Sequence, residues 1–129
     1  MNASGLAVRE FTGRFGLRPE DIIVIFDDVD LPWSFIRIKE HGRSGGHKGV
    51  ESIIAELQSD KFVRVRVGIR PRHTIRNLSS YVLAPLPEHG EIKEEAELGI
   101  NTAAEAVEKI LRDGPMFAMA AYNKKVRVN

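Results

Sequence analysis

FDDVDLPWSFIRIKEHGRSGGHKG, the stretch from Phe26 to Gly49, decides how this chain is read. It opens on the end of Ile22-Ile23-Val24-Ile25-Phe26, a run apolar enough to belong in a core, and three carboxylates follow at once: Asp27, Asp28 and Asp30. That order predicts a strand over residues 22 to 26, with charge beginning where the strand ends. A carboxylate at such an end is half desolvated and held in position, and open α/β sheets bind ligands outside their strand ends. The stretch closes on Arg43-Ser44-Gly45-Gly46-His47-Lys48-Gly49, three glycines around one imidazole. Glycines let the main chain turn sharply and let a ligand come close to it. Val50, Ile53, Ile54 and Leu57 then fall at i, i+3, i+4 and i+7, so the loop feeds a helix whose first N–H groups favour anions.

Working outward, Leu6, Ala7, Phe11 and Phe15 recur near helical spacing over residues 4 to 15, with Gly16 as a stop and Pro19-Glu20-Asp21 as a turn into the first strand. Pro32 and Trp33 interrupt before Phe35 to Lys39, where Ile36 and Ile38 share one face and Arg37 and Lys39 the other. Val63-Arg64-Val65-Arg66-Val67 repeats that alternation. If the two strands are neighbours, Arg37, Lys39, Arg64 and Arg66 form either a patch able to hold phosphates or simply the wet face of a half-buried sheet. A basic loop, residues 68 to 76, a short helix within 74 to 83 and the breakers Pro85 and Pro87 come next. Ile92, Ala96, Ile100, Ala103, Val107 and Ile110 then mark the inner stripe of a long helix over 88 to 112, and its acidic outer face reads as solvated surface. Asp113-Gly114-Pro115 ends that helix, Met116 to Tyr122 forms a last short one, and Lys124 to Arg127 is a basic tail expected to fray.

The chain has 129 residues, enough for one domain with a core. It has no cysteine, which excludes disulfides and thiolate metal sites and suits a reducing compartment. No apolar run is long enough to span a bilayer, and the N-terminal residues do not read as a secretory leader, so the sequence reads as a soluble, cytoplasmic protein without membrane attachment. The net charge of +1 hides an asymmetry: residues 34 to 76 hold ten Lys and Arg against four Asp and Glu. A basic middle third suits a polyanionic partner or an ordinary solvated surface.

Asp27 is the carboxylate nearest the apolar run and the best candidate for chemistry, against the alternative of a turn residue bonding its own backbone. The Asp-Asp-x-Asp cluster has the hard ligands magnesium prefers, but no second acidic cluster completes a shell. His47 is either a helix-start residue satisfying backbone groups or, with three glycines around it, a residue placed beside a ligand. A Gly-x-Ser-x-Gly elbow is absent, and the glycine loop lacks the Gly-Lys-Ser/Thr ending of a P-loop, which argues against acyl-serine and nucleotide-hydrolysing readings.

Several segments together resemble bacterial-type peptidyl-tRNA hydrolases in order and spacing: MNASGLAV from Met1, DDVDLP from Asp27, GGHKGVESII from Gly45 and VRVGI from Val65. Tyr81-Val82-Leu83 and the Ala118 to Asn123 helix join them, so the resemblance spans nearly the whole chain. It implies an α/β fold, a mixed sheet with helices on both sides, in which residues 1 to 129 form a single partial domain lacking the family's first strand and helix. It also implies hydrolysis of the ester between a peptide and the 3′-terminal ribose of tRNA, with no metal or cofactor. By resemblance, Asp27 orients and supports the catalytic histidine, Asn2 binds substrate through its amide near the ester, and His47 lies in the substrate-binding Gly-Gly-His-Asn-Gly loop. The chemistry needs these types, because a neutral imidazole takes a proton from water and a nearby carboxylate stabilises the imidazolium. Lys48 replaces the family's asparagine, so a donor and acceptor becomes a cation that only donates. Arg37 and Lys39 complete the expected tRNA-binding set.

The segment after Gly68-Ile69 runs one glycine short of the family pattern, and none of the four histidines lies in the Thr-Arg-His-Asn motif that carries the family's general base. A protein of this family is expected to be monomeric, and this chain is expected to self-associate through the uncovered strand at 22 to 26. The rival expectation is a non-catalytic RNA-binding remnant of the family.

Overall fold

A computed structural model describes residues 3–70 and 90–123. The expected helix within 74 to 83 and the tail at 124 to 127 lie outside the described residues. The elements, in chain order, are α1 (Ser4–Phe15), a 3₁₀ turn (Pro19–Asp21), β1 (Ile23–Pro32), β2 (Ile36–Lys39), α2 (Lys48–Leu57), β3 (Val63–Arg70), α3 (Gly90–Asp113) and α4 (Pro115–Tyr122). Among the described residues the strands form a mixed three-stranded sheet in the order β1-β3-β2, and with the helices this makes an α/β fold, as the sequence leads one to expect.

The chain folds into two compact units, one built from residues up to Val24 with Lys39–Val63, the other from Ile25–Ile38 with residues from Arg64 on. In the first unit, α1 packs on α2. Gly5 allows the approach: a Cβ there would collide with the Ser52 carbonyl, and the Gly5 N–H donates to Ser52 Oγ at 3.0 Å. Arg9 adds an ion pair to Glu56 at 2.9 Å. Gly16, at φ 65°, ends α1 in the left-handed conformation while Leu17 N–H returns to the Thr12 carbonyl, so the predicted stop is confirmed. The predicted inner face is not. Gly5 and Thr12 are the buried residues of α1, whereas Leu6, Phe11 and Phe15 are exposed, the two phenylalanine rings lying against each other at 4.7 Å. Helix-to-helix contact here is made through small residues, which bring two backbones closer than phenylalanines allow.

In the second unit α3 lies close to the sheet. Its buried residues are Ala96, Gly99, Ala103, Ala106 and Ile110, at spacings of three and four. Ile100, assigned to the inner stripe from the sequence, is instead 47% exposed, and Gly99 and Ala106 take the inner places. Gly99 stands with the place of its missing Cβ 3.5 Å from Ser34 Cα and 3.7 Å from Val67 Cγ1, so small residues define the contact face where large ones would hold the helix off. α4 packs on α3 by Ala118, which is fully buried. Its C-cap, Asn123, grips β2 twice: Ile38 N–H donates to Asn123 Oδ1 at 2.7 Å, and Asn123 Nδ2 donates to the Ile38 carbonyl at 2.9 Å. β2 is an edge strand, and one amide side chain thereby takes the hydrogen-bonding position that another strand would occupy.

Candidate functional site

The strand that carries the acidic cluster is longer than the sequence suggests. β1 continues to Pro32, so Asp27, Asp28 and Asp30 are strand residues, and charge does not begin at the strand's end. Nor is the apolar run a closed core: Ile22, Ile23, Val24 and Phe26 are only partly buried and Ile25 is 53% exposed, because β1 lies at the sheet edge. Alternation along the strand sends Asp27 and Asp28 to opposite faces. Asp28 is occupied structurally. Its Oδ1 accepts from the Asp30 N–H at 2.8 Å, its Oδ2 is 3.5 Å from Arg66 Nη1, and both side chains of that ion pair are more than four-fifths buried. Arg66 also lies over Phe26, with its Cζ 5.8 Å from the ring centroid, a cation–π contact on the same face of β1 as Asp28. Asp27, half-buried, therefore projects from the other face.

The paired arginines of β3 depart from the expected wet patch. β2 and β3 are neighbours, as that reading required, but Arg64 is fully buried and Arg66 nearly so. β3 is the central strand, both its faces are covered, and the valine–arginine alternation does not mark a solvent side. Arg37 is half-buried and Lys39 exposed, opposite in parity to Ile36 and Ile38, which are buried as expected.

The glycine loop does what its composition predicts. Gly42, Gly45 and Gly46 all have φ between 63° and 131°, a region that an L side chain enters at a cost. Ser44 braces the bend: its Oγ accepts from the Gly46 N–H at 3.1 Å and donates to Glu51 Oε1 at 3.3 Å. The bend leaves His47 as the N-cap of α2, with Nδ1 accepting from the Val50 N–H at 3.2 Å. That bond fixes the tautomer. Nδ1 must offer its lone pair, so the neutral ring carries its proton on Nε2, and that nitrogen is buried from solvent in this structure. The helix-start reading of His47 is thus correct for one ring nitrogen, while the other is a donor. Lys48, exposed, opens the helix and places a cation at the positive end of the dipole, next to the exposed Glu51 of the same first turn.

His47 and Lys48 are brought together at the start of α2 in the first unit, which also holds Lys39, while Asp27 and Arg37 stand on strands of the second. Asn2 lies outside the described residues. Among the described residues no group of three His, Asp or Glu side chains is placed to share a metal ion, and no helix is long and apolar enough to cross a membrane. Sequence reasoning did not find the Asp28–Arg66–Phe26 cluster, although Phe26 and Asp28 at i and i+2 carried the signal once β1 is extended through the carboxylates. Nothing in the sequence marked Asn123 as a clamp on β2.

An α/β fold with a mixed sheet, a carboxylate-bearing strand and a histidine-capped glycine loop is the class that these elements define. Within that class the chain belongs to the peptidyl-tRNA hydrolase family, whose sequence model matches residues 1–129. Peptidyl-tRNA hydrolases of Koribacter versatilis and Lachnoclostridium phytofermentans are each 42% identical to it over 127 residues, covering 97% of this chain and 62% and 64% of their own lengths. The crystal structure of peptidyl-tRNA hydrolase from Acinetobacter baumannii superposes with a TM-score of 0.74 at 28% identity, over 95% of this chain and 60% of that one. The chain thus spans a little under two thirds of the relatives it matches.

Proposed function

We propose that the protein containing this chain hydrolyses the ester that joins a peptide to the 3′-terminal ribose of tRNA. What supports this reading is family membership over the full 129 residues, with the three glycines and the histidine of the loop present and Lys48 in place of its asparagine. In it, Asp27 is the carboxylate that orients the catalytic imidazole and stabilises the imidazolium formed when that ring takes a proton from water. His47 shapes the substrate-binding glycine loop by capping α2 through Nδ1, its Nε2 being buried from solvent. Asn2 binds substrate near the ester through its amide, Lys48 is a cation toward the tRNA terminus, and Arg37 and Lys39 meet phosphates. The general base is a histidine in a Thr-Arg-His-Asn motif, which the present residues do not supply, so turnover requires that motif from the protein of which they are part. The reading places this single domain in the cytoplasm as a monomer, with self-association through the edge of β1 when residues 1 to 129 are isolated.

The test is release of free tRNA from an N-acylated aminoacyl-tRNA. A protein carrying both this chain and a Thr-Arg-His-Asn segment is expected to turn over, residues 1 to 129 alone are not, and Asp27→Asn in the active protein is expected to cut kcat by about 10²- to 10⁴-fold with folding preserved. Near-normal turnover by Asp27→Asn would make Asp27 a structural residue. Turnover by residues 1 to 129 that is abolished by His47→Ala would make His47 the base.

A further inference from the structure

The second unit contains a cavity of about 330 Å³ lined by Ser34, Phe35, Leu98, Thr102, Glu105 and Tyr122 among others. Two of its walls are fixed by contacts already described. On one side Ser34, held at φ 72°, sits against Gly99 of α3. A left-handed serine is a strained residue that its surroundings must hold in place. On the other side the Ala121–Tyr122 end of α4 is anchored because the next residue, Asn123, is bonded twice to Ile38.

The walls are mostly apolar and, among the described residues, carry one charge. Glu105 has no cation partner among the described residues, and the reason is local. Lys109, one turn further along α3, is the natural partner at i+4, but it is taken by Asp113 at 2.7 Å. The strength of that competing pair shows in Asp113, whose carboxyl is held below the usual range first by the Lys109 hydrogen bond. Thr102 donates its hydroxyl proton to the Leu98 carbonyl at 2.7 Å, which leaves its oxygen lone pairs as acceptors. The cavity therefore combines a carboxylate, a hydroxyl oxygen able to accept, and the rings of Phe35 and Tyr122.

We propose that this cavity binds a small organic cation, a protonated primary amine carried on an apolar or aromatic body. The ammonium would meet Glu105 and Thr102 with a tyrosine or phenylalanine face beside it, and the body would occupy the apolar floor. The proposal does not depend on hydrolytic activity.

Phenethylammonium chloride, titrated into the ¹⁵N-labelled 129-residue chain, is the test. Expected are saturable shifts at the amides of Ser34, Thr102 and Tyr122 with a Kd on the order of millimolar. Glu105→Gln, an exposed substitution that leaves the fold alone, is expected to weaken binding about fivefold, as is replacing the probe by uncharged 2-phenylethanol. Ala121→Leu, which narrows the cavity and keeps the carboxylate, is expected to weaken both probes. Absence of saturable shifts at those three amides overturns the proposal. So does equal binding of the two probes, or equal binding of phenethylammonium by Glu105→Gln.

Discussion

Asn123→Ala removes one side-chain amide and, with it, both hydrogen bonds to Ile38, whose N–H and carbonyl then face the place where the amide stood. Ile38 is fully buried, and the two bonds measure 2.7 and 2.9 Å. A buried polar group left without a partner costs about 1–3 kcal/mol. Asn123 itself is only half-buried, so water reaches part of the vacated position, and the two losses together are put at about 2–3 kcal/mol. For a chain of this size that corresponds to a fall in Tm of roughly 6–12 °C, measurable by circular dichroism together with a urea titration. Asn123→Asp separates the two bonds. A carboxylate still accepts from the Ile38 N–H but turns an anion toward the Ile38 carbonyl, whereas a protonated carboxyl can donate there. The folded state should therefore hold the proton more tightly than the unfolded one, which raises the folded pKa of the new group. Its stabilising contribution is full below the unfolded pKa and is lost as pH rises through the folded one. Relative to the parent, Asn123→Asp should thus be least impaired in mild acid. An Asn123→Ala loss below about 0.5 kcal/mol, or an Asn123→Asp deficit that does not change with pH, would refute the clamp.

Gly5→Ala and Gly68→Ala should each destabilise by about 1–3 kcal/mol in thermal melts, because the new Cβ meets the Ser52 carbonyl in one case and the Pro32 carbonyl in the other; unchanged melts would show that the backbones can part freely. Arg37→Ala with Lys39→Ala should weaken tRNA binding and reduce the slope of log K against log salt by about one to two, and tight binding with an unchanged slope would remove this face from the site. Asp113, depressed chiefly by Lys109, should titrate in NMR below the usual carboxyl range and move back up in Lys109→Gln; its contribution to stability is present above the unfolded pKa and is lost as acid carries pH down through the folded value.

Much of the fold was legible because local chemistry dictates it. The αL glycine after α1, the glycine bend into α2 and the Pro19–Asp21 turn are backbone requirements, and backbone requirements are met by particular residue types within a few positions. His47 as a helix cap belongs to the same neighbourhood, since the glycines before it and the helical spacing after it mark where α2 begins. The order of the family's motifs was likewise written in the chain, and with it the expected places of Asp27, Asn2 and Lys48.

Tertiary structure decided whatever depends on which side of an element is covered and by what. Phe11 and Phe15 look like core and are exposed, because Gly5 and Thr12 provide the closer approach between α1 and α2. Arg64 and Arg66 look like surface, yet Arg64 is fully buried and Arg66 mostly so, because β3 is the central strand of the sheet. Ile22 to Phe26 looks fully buried and is only half so, because β1 is at an edge and runs on through its carboxylates. Asn123 acquires its role 85 residues away from Ile38, a separation across which no periodicity carries information. Side-chain pattern specifies that an element has two unlike faces, but the partner that comes to each face is set by the whole chain's packing.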